Sequence, residues 1–196
     1  MNIYLVLAHP NKGSFNHAIA ETAAATVKHL GHNLWYHDLY DENFDPIFTA
    51  SEIASEISLN PDIDAHCKKL CEADGIIIIH PNWWSQAPAI LKGWVDRVFR
   101  AGRAYKFVED GKGGGYPIGL LKAKSALVIN TANTPQEIEV SAYGDPLQIF
   151  WQKVVFGLCG VKDFHRLIFS PVITSSTEKR KAWLKEVKQK VIDLYH

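Results

Sequence analysis

Short apolar runs alternate with amphipathic stretches from one end of the chain to the other, the pattern of buried strands that alternate with covering helices. Ile3-Tyr4-Leu5-Val6-Leu7-Ala8 is nearly continuous, as a strand covered on both faces must be. Gly75-Ile76-Ile77-Ile78-Ile79-His80 is the clearest case, and its four isoleucines predict a central strand. Shorter runs predict strands over 33–38, 125–130 and 163–169. Ser14 offers an N-cap to a helix over 15–30, in which Ala18, Ile19, Ala23, Val27 and Leu30 recur at helical spacing before Gly31 ends it. Further helices are expected over 62–72, 87–99, 144–158 and 177–195, with Pro88 tolerated in a first turn. Residues 39–61 read as a long irregular connection containing a short helix over 51–57, and residues 111–115 as a mobile glycine-rich loop. The sum is an α/β chain: a three-layer, doubly wound parallel sheet of five strands, in one domain over residues 1–196.

Composition narrows the partners. Lys plus Arg equals Asp plus Glu at 21 each, so no global field favours nucleic acid or an anionic membrane. No apolar run reaches the roughly 18 residues of a membrane span and no leader pattern opens the chain, so membrane insertion is not expected and a cytoplasmic location is. Cys67, Cys71 and Cys159 are too sparse for a disulfide framework and read as thiols. Nine histidines form no H-x-H or H-x-x-x-H pair, and the cysteines lack zinc spacing, so no metal site is expected.

In an open parallel sheet, ligands bind beyond the carboxyl ends of the strands, which selects three loops. The first, His9 through Ser14, delivers the chain to a helix N-terminus, a site suited to phosphate; an ordinary loop in which Ser14 only caps its helix is the alternative. It carries no Walker ending, and no strand is followed by G-x-G-x-x-G. In the second, Trp83 and Trp84 stand side by side between Pro81 and Pro88. Either they cover a flat ligand such as a flavin ring or they pack on the next helix. The third, Asn130-Thr131-Ala132-Asn133-Thr134, offers small side chains and amides for close backbone approach.

With these residues in view, the sequence resembles the NAD(P)H:quinone reductase family of flavodoxin-like flavoproteins. The stretch Pro88-Ala89-Ile90-Leu91-Lys92-Gly93-Trp94-Val95-Asp96-Arg97-Val98-Phe99 carries the likeness most specifically. Leu7-Ala8-His9, Ser14-Phe15-Asn16 and Asp38-Leu39-Tyr40 agree elsewhere. The resemblance implies strand order 2-1-3-4-5 and a ping-pong transfer of two electrons from NAD(P)H through a flavin to a quinone or similar small acceptor. It implies FAD, with FMN as the alternative. His9, Ser14, Phe15 and Asn16 would hold the cofactor's phosphate and distal part. Asn82, Trp83, Trp84 and Ser85, with Asn130, Thr131, Ala132 and Asn133, would surround its ring. Tyr105 and Phe107 would line the substrate side, and Tyr143 would donate to the flavin in place of the family's histidine. Residues 130–133 depart from the family's Thr-Thr-Gly-Gly, and Glu137 or Glu139 falls near its missing tyrosine. The family also implies a homodimer. Azo- or nitroreduction on the same site, and a non-catalytic regulatory subunit of a potassium-efflux system, are the competing readings.

Overall fold

The computed structural model describes residues 1–53 and 60–196. Five parallel strands form the central sheet: β1 (Asn2–Leu7), β2 (Asn33–Asp38), β3 (Gly75–Pro81), β6 (Ser125–Thr131) and β7 (Asp163–Phe169). Their order is β2-β1-β3-β6-β7, which is 2-1-3-4-5 when only these strands are counted. Every residue of β3 and β6 is buried, so their unbroken apolar runs report two covered faces.

Alternate side chains along each strand feed two cores. On one face Ile3, Leu5, Leu7, Ile77, Ile79, Leu127 and Ile129 pack against Ile19, Ala23 and Val27 of helix α1 (Phe15–His29) and Val187, Val191 and Tyr195 of the closing helix α7 (Thr177–Tyr195). On the other, Tyr4, Val6, Ile76, Ile78, Ala126 and Val128 meet three helices: α3 (Pro61–Glu72), α4 (Ala89–Val98) and α6. Helix α6 is built from Pro146–Gln148, an eight-residue π-helical stretch at Ile149–Phe156, and Gly157–Cys159. Trp94 of α4 and Trp151 of α6 are fully buried there.

Several sequence expectations need correction. The glycine-rich loop lies within a β-hairpin, β4 (Tyr105–Glu109) paired antiparallel with β5 (Gly115–Gly119). Its alternation is weak because most of it is exposed, which is why periodicity missed it. The third loop holds a helix, α5 (Gln136–Tyr143), which starts after Pro135 and ends at Gly144 in the left-handed conformation. The helix expected over 144–158 begins instead at Pro146, with the Asp145 carboxylate capping it through the Gln148 N–H. The short helix expected over 51–57 is seen as α2 (Ala50–Ile53); its later residues lie outside the described ones. Among the described residues no helix is long and apolar enough to cross a membrane.

Candidate active site

The crossover after β1 runs through α1 to β2 at one edge, whereas β3 connects through α4 toward β6 on the opposite face. The loops after β1 and β3 therefore diverge and leave a crevice at the carboxyl edge. Two adjoining clefts open there. The first, about 310 Å³, is lined by His9, Ser14, Phe15 and Asn16 of the first loop, Pro81, Asn82 and Trp83 of the second, residues 131–134 of the third, and Val172. The second, about 450 Å³, is lined by Asn82, Trp84, Ser85, Ala132, Thr134, Glu139 and Tyr143.

Helix α1 begins at the floor of the first cleft. Ser14 is its N-cap and accepts from the His17 N–H, while helix geometry leaves the Phe15 and Asn16 N–H groups without intrahelical acceptors. The His17 ring bridges Ser14 Oγ at 3.0 Å and Asp38 Oδ2 at 3.0 Å. With the ring N–H directed at Asp38, the Ser14 hydroxyl donates to the other nitrogen. Ser14 is thus held by its own helix, and the backbone N–H groups of the first turn are what remains for an anion. His9 accepts from the Asn11 N–H at 3.1 Å, and burial lowers its pKa below the ordinary value. Neutral imidazole is therefore its form at neutral pH.

Two buried amide oxygens are unspent. Asn16 donates from Nδ2 to Thr131 Oγ1 at 2.8 Å, and its Oδ1 has no partner. The Asn82 backbone N–H donates to the Thr131 carbonyl at 2.7 Å, and its side-chain Oδ1 is likewise buried without a partner. A buried acceptor left unpaired costs about 1–3 kcal/mol, so two in the wall of one cleft mark a place for a ligand with N–H or O–H donors.

The two tryptophans separate. Residues 83–86 form a tight turn closed by reciprocal backbone bonds between Trp83 and Gln86, both 3.0 Å, with Trp84 and Ser85 at φ 56. Positive φ at both central positions is a type I′ geometry that normally requires Gly or Asn. Trp83 stays in the first cleft, 6.1 Å from the His9 ring, whereas Trp84 is 99% exposed at the mouth of the second. At that exposure Trp84 packs on no helix.

Behind the clefts runs a buried polar chain. His80 is fully enclosed; its Nδ1 donates to the Pro81 carbonyl at 2.8 Å and its Nε2 accepts from Trp151 Nε1 at 3.0 Å and Asn130 Nδ2 at 2.9 Å. Asn130 Oδ1 accepts from Arg166 Nε at 2.6 Å, and Arg166 Nη1 donates to both Asp145 oxygens at 2.7 and 2.8 Å. Asn130 is therefore completely buried and lines neither cleft. Its side chain ties the second loop to the segment following α5.

Tyr105 and Phe107 sit on the hairpin, in mutual ring contact at 5.7 Å, and line neither cleft of this single chain. Tyr143 lines the second cleft, one helical turn after Glu139, which is buried and whose Oε1 has no partner. Thr134, named only as part of the third loop, lines both clefts, and Val172, not singled out from sequence, lines the first. Thr134 lies in the third loop, and Val172 follows β7, where the carboxyl-edge rule also points.

Comparison with known proteins agrees with this architecture. The family described by the flavodoxin-like fold matches residues 1–191. An uncharacterized NAD(P)H oxidoreductase of Haemophilus influenzae is 31% identical over 194 residues, covering 97% of this chain and 94% of the relative. NAD(P)H dehydrogenase [quinone] 1 of Rattus norvegicus is 33% identical over 178 residues, covering 80% of this chain and 64% of the relative. The solved NAD(P)H:quinone oxidoreductase of Methanothermobacter marburgensis superposes with a TM-score of 0.85 at 25% identity, over 100% of this chain and 98% of that one. An azoreductase of Bacillus anthracis, at 18% identity and a TM-score of 0.77 over 97% and 98% of the chains, shares the fold. With the topology, the carboxyl-edge crevice and full-length relatives in agreement, this chain belongs to the flavodoxin-like NAD(P)H:quinone oxidoreductase family.

Proposed function

We propose that the chain is a flavin-dependent NAD(P)H oxidoreductase that passes two electrons to a quinone or similar small acceptor. The observation that carries this reading is the pair of buried, unpartnered oxygens, Asn16 Oδ1 and Asn82 Oδ1, in one cleft at the carboxyl edge. A flavin offers what they lack: hydroxyl donors along its ribityl chain and an N–H on its pyrimidine ring. When bound it supplies the two-electron chemistry between nicotinamide and acceptor.

The residues divide the remaining work. The first turn of α1 receives the phosphate through the Phe15 and Asn16 N–H groups, in the positive field of the helix end. Neutral His9 and Trp83 close that side. Asn82, Thr131, Ala132 and Asn133 hold the ring edge, and the buried chain from His80 to Asp145 fixes the loops that present them. The second cleft is the slot for nicotinamide and acceptor, which occupy it in turn in a ping-pong scheme. Trp84 and Ser85 form one wall, and Glu139 and Tyr143 the other. The unpartnered Glu139 Oε1 can accept a hydrogen bond, and the Tyr143 hydroxyl can donate to a ring or acceptor oxygen.

FAD is favoured over FMN by Ser14-Phe15-Asn16 and by Arg180, whose guanidinium stands 6.0 Å from the ring of Phe15, a cleft residue. Trp84, Phe107, Tyr116, Ile118, Ile149 and Val154 leave apolar surface exposed, which supports a homodimer in which a second copy completes the acceptor slot. A cytoplasmic site of action fits the neutral charge balance and the thiol cysteines. The test is steady-state NADH and NADPH oxidation by flavin-loaded protein with quinones, azo dyes and nitroaromatics under one set of conditions, with the released flavin identified. Quinone turnover exceeding the others supports the reading. Flavin retention without turnover of any acceptor supports the regulatory subunit instead.

A further inference from the structure

Outside the clefts, three elements bring together side chains that no spacing rule connects: His37 on β2, Glu42 in the turn after it, and His66 on α3. His37 Nδ1 is 2.7 Å from Glu42 Oε1, and His66 Nε2 is 3.4 Å from Glu42 Oε2. One ligand atom from each residue lies within 4.8 Å of the others. Both imidazoles are buried, and all three residues line a separate cavity of about 450 Å³ that shares no lining residue with the two clefts. We propose that His37, Glu42 and His66 form a binding site for a divalent transition-metal ion of the zinc type, its fourth coordination position open to this cavity.

Zinc takes nitrogen and carboxylate ligands at about 2.0–2.2 Å, which places the donors of a tetrahedron roughly 3.3–3.5 Å apart. The His66–Glu42 separation meets that spacing, the His37–Glu42 one is shorter and opens slightly, and all three ligand atoms already lie within 4.8 Å, so side-chain adjustments suffice to seat an ion. Two neutral imidazoles and one carboxylate are a borderline donor set suited to zinc or cobalt rather than to calcium or magnesium. His37 Nδ1 and His66 Nε2 are the nitrogens that face Glu42, so an ion takes the place of the ring protons shared with the carboxylate, and each proton moves to the other ring nitrogen.

The surrounding groups hold the rings. His66 Nδ1, the nitrogen turned away from Glu42, lies 2.6 Å from Tyr4 Oη and 3.2 Å from Trp94 Nε1. With metal at Nε2 the proton sits on Nδ1 and is given to the Tyr4 oxygen, the usual way a bound imidazole is oriented. The Trp94 N–H then donates to that oxygen too. One neighbour opposes the ion: Lys69 Nζ lies 3.2 Å from His37 Nε2. A metal at Nδ1 puts the ring proton on Nε2, so the ammonium must swing into the cavity that Lys69 lines. The opposition gives the site a distinctive signature, because exchanging the ammonium for an amide that can accept the ring N–H should strengthen binding.

The experiment is equilibrium dialysis of chelator-stripped, full-length protein against Zn²⁺ with elemental analysis, and visible absorption after titration with Co²⁺. One ion per chain and a tetrahedral Co²⁺ spectrum are expected. Glu42→Gln, a near-isosteric change at a side chain 36% exposed, should retain the native circular dichroism and weaken binding more than about tenfold. His37→Gln should do the same, and Lys69→Gln should tighten binding. Failure to retain an ion, retention undiminished by Glu42→Gln, or weaker binding in Lys69→Gln would show that the three groups form only a hydrogen-bonded cluster and would overturn the proposal. Flavin retention, measured on the same samples, is untouched by either outcome.

Discussion

Replacing Arg166 by Met should cost about 3–5 kcal/mol of folding stability, because it strands a buried carboxylate. The Arg166 side chain is 4% exposed and that of Asp145 14%. The guanidinium gives Asp145 two bonds, at 2.7 and 2.8 Å, and gives Asn130 Oδ1 one at 2.6 Å. Met keeps the apolar stem but none of these donors, so the Asp145 carboxylate is left with only the Gln148 N–H and Asn130 Oδ1 loses its partner. The second loss alone is worth about 1–3 kcal/mol; the two share one guanidinium and overlap, so they do not simply add. Urea unfolding at neutral pH, followed by circular dichroism and fluorescence together, measures the difference. Adding Asp145→Asn removes the stranded charge, and the cycle should show coupling of about 1–3 kcal/mol. A loss below about 1 kcal/mol, the value of an exposed ion pair, together with no coupling, would refute the view that this chain of bonds anchors the loops around the clefts.

Burial chiefly, opposed by the hydrogen bond to Pro81, lowers the pKa of His80 from 6.5 to about 3. Below the unfolded value the unfolded chain binds a proton that the folded one refuses, so stability should fall with pH between about 6.5 and about 3, at about 1.4 kcal/mol per unit from this residue, and be insensitive to it above. Proton uptake on unfolding at mildly acidic pH should drop by about one in His80→Gln; an unchanged uptake would contradict the assignment. Ser85→Gly relieves a left-handed position at φ 56 and should raise stability by roughly 0.5–1 kcal/mol after the entropic cost of glycine, read as a higher melting temperature, whereas a decrease would argue against the strain. Gly93→Ala should destabilise by about 1–3 kcal/mol despite alanine's better helix propensity, since its Cβ would lie 2.3 Å from both Cβ and the carbonyl oxygen of Pro46; a stabilised variant in urea titration would show that the segment around Pro46 yields freely.

The sheet was legible because β1, β3 and β6 are buried on both faces and cannot hide their apolar runs. The edge of the sheet was legible as a binding region, since strand direction alone selects the loops. The hairpin of Tyr105 and Phe107 was not, because an exposed ribbon carries little alternation, and α5 was masked by its short length after Pro135. Asn130 illustrates a deeper limit. Its place in the third loop suggested contact with a ligand, yet its burial against His80 and Arg166 depends on residues 50 positions before it and 36 after it. The same holds for His37 and His66, which meet only when β2 and α3 pack on one face. The positive φ of Trp84 and Ser85, residues that normally avoid it, left no mark in the sequence either.

The most direct measurement of the central claim is the absorption spectrum of purified protein after incubation with FAD or FMN and desalting. The account predicts one retained flavin per chain whose visible band is bleached by NAD(P)H in the absence of oxygen and restored by a quinone. It also predicts that Asn82→Ala and Asn16→Ala release the flavin with the fold intact. Protein that keeps no flavin, or whose two asparagine variants bind it as well as the parent, would contradict the account.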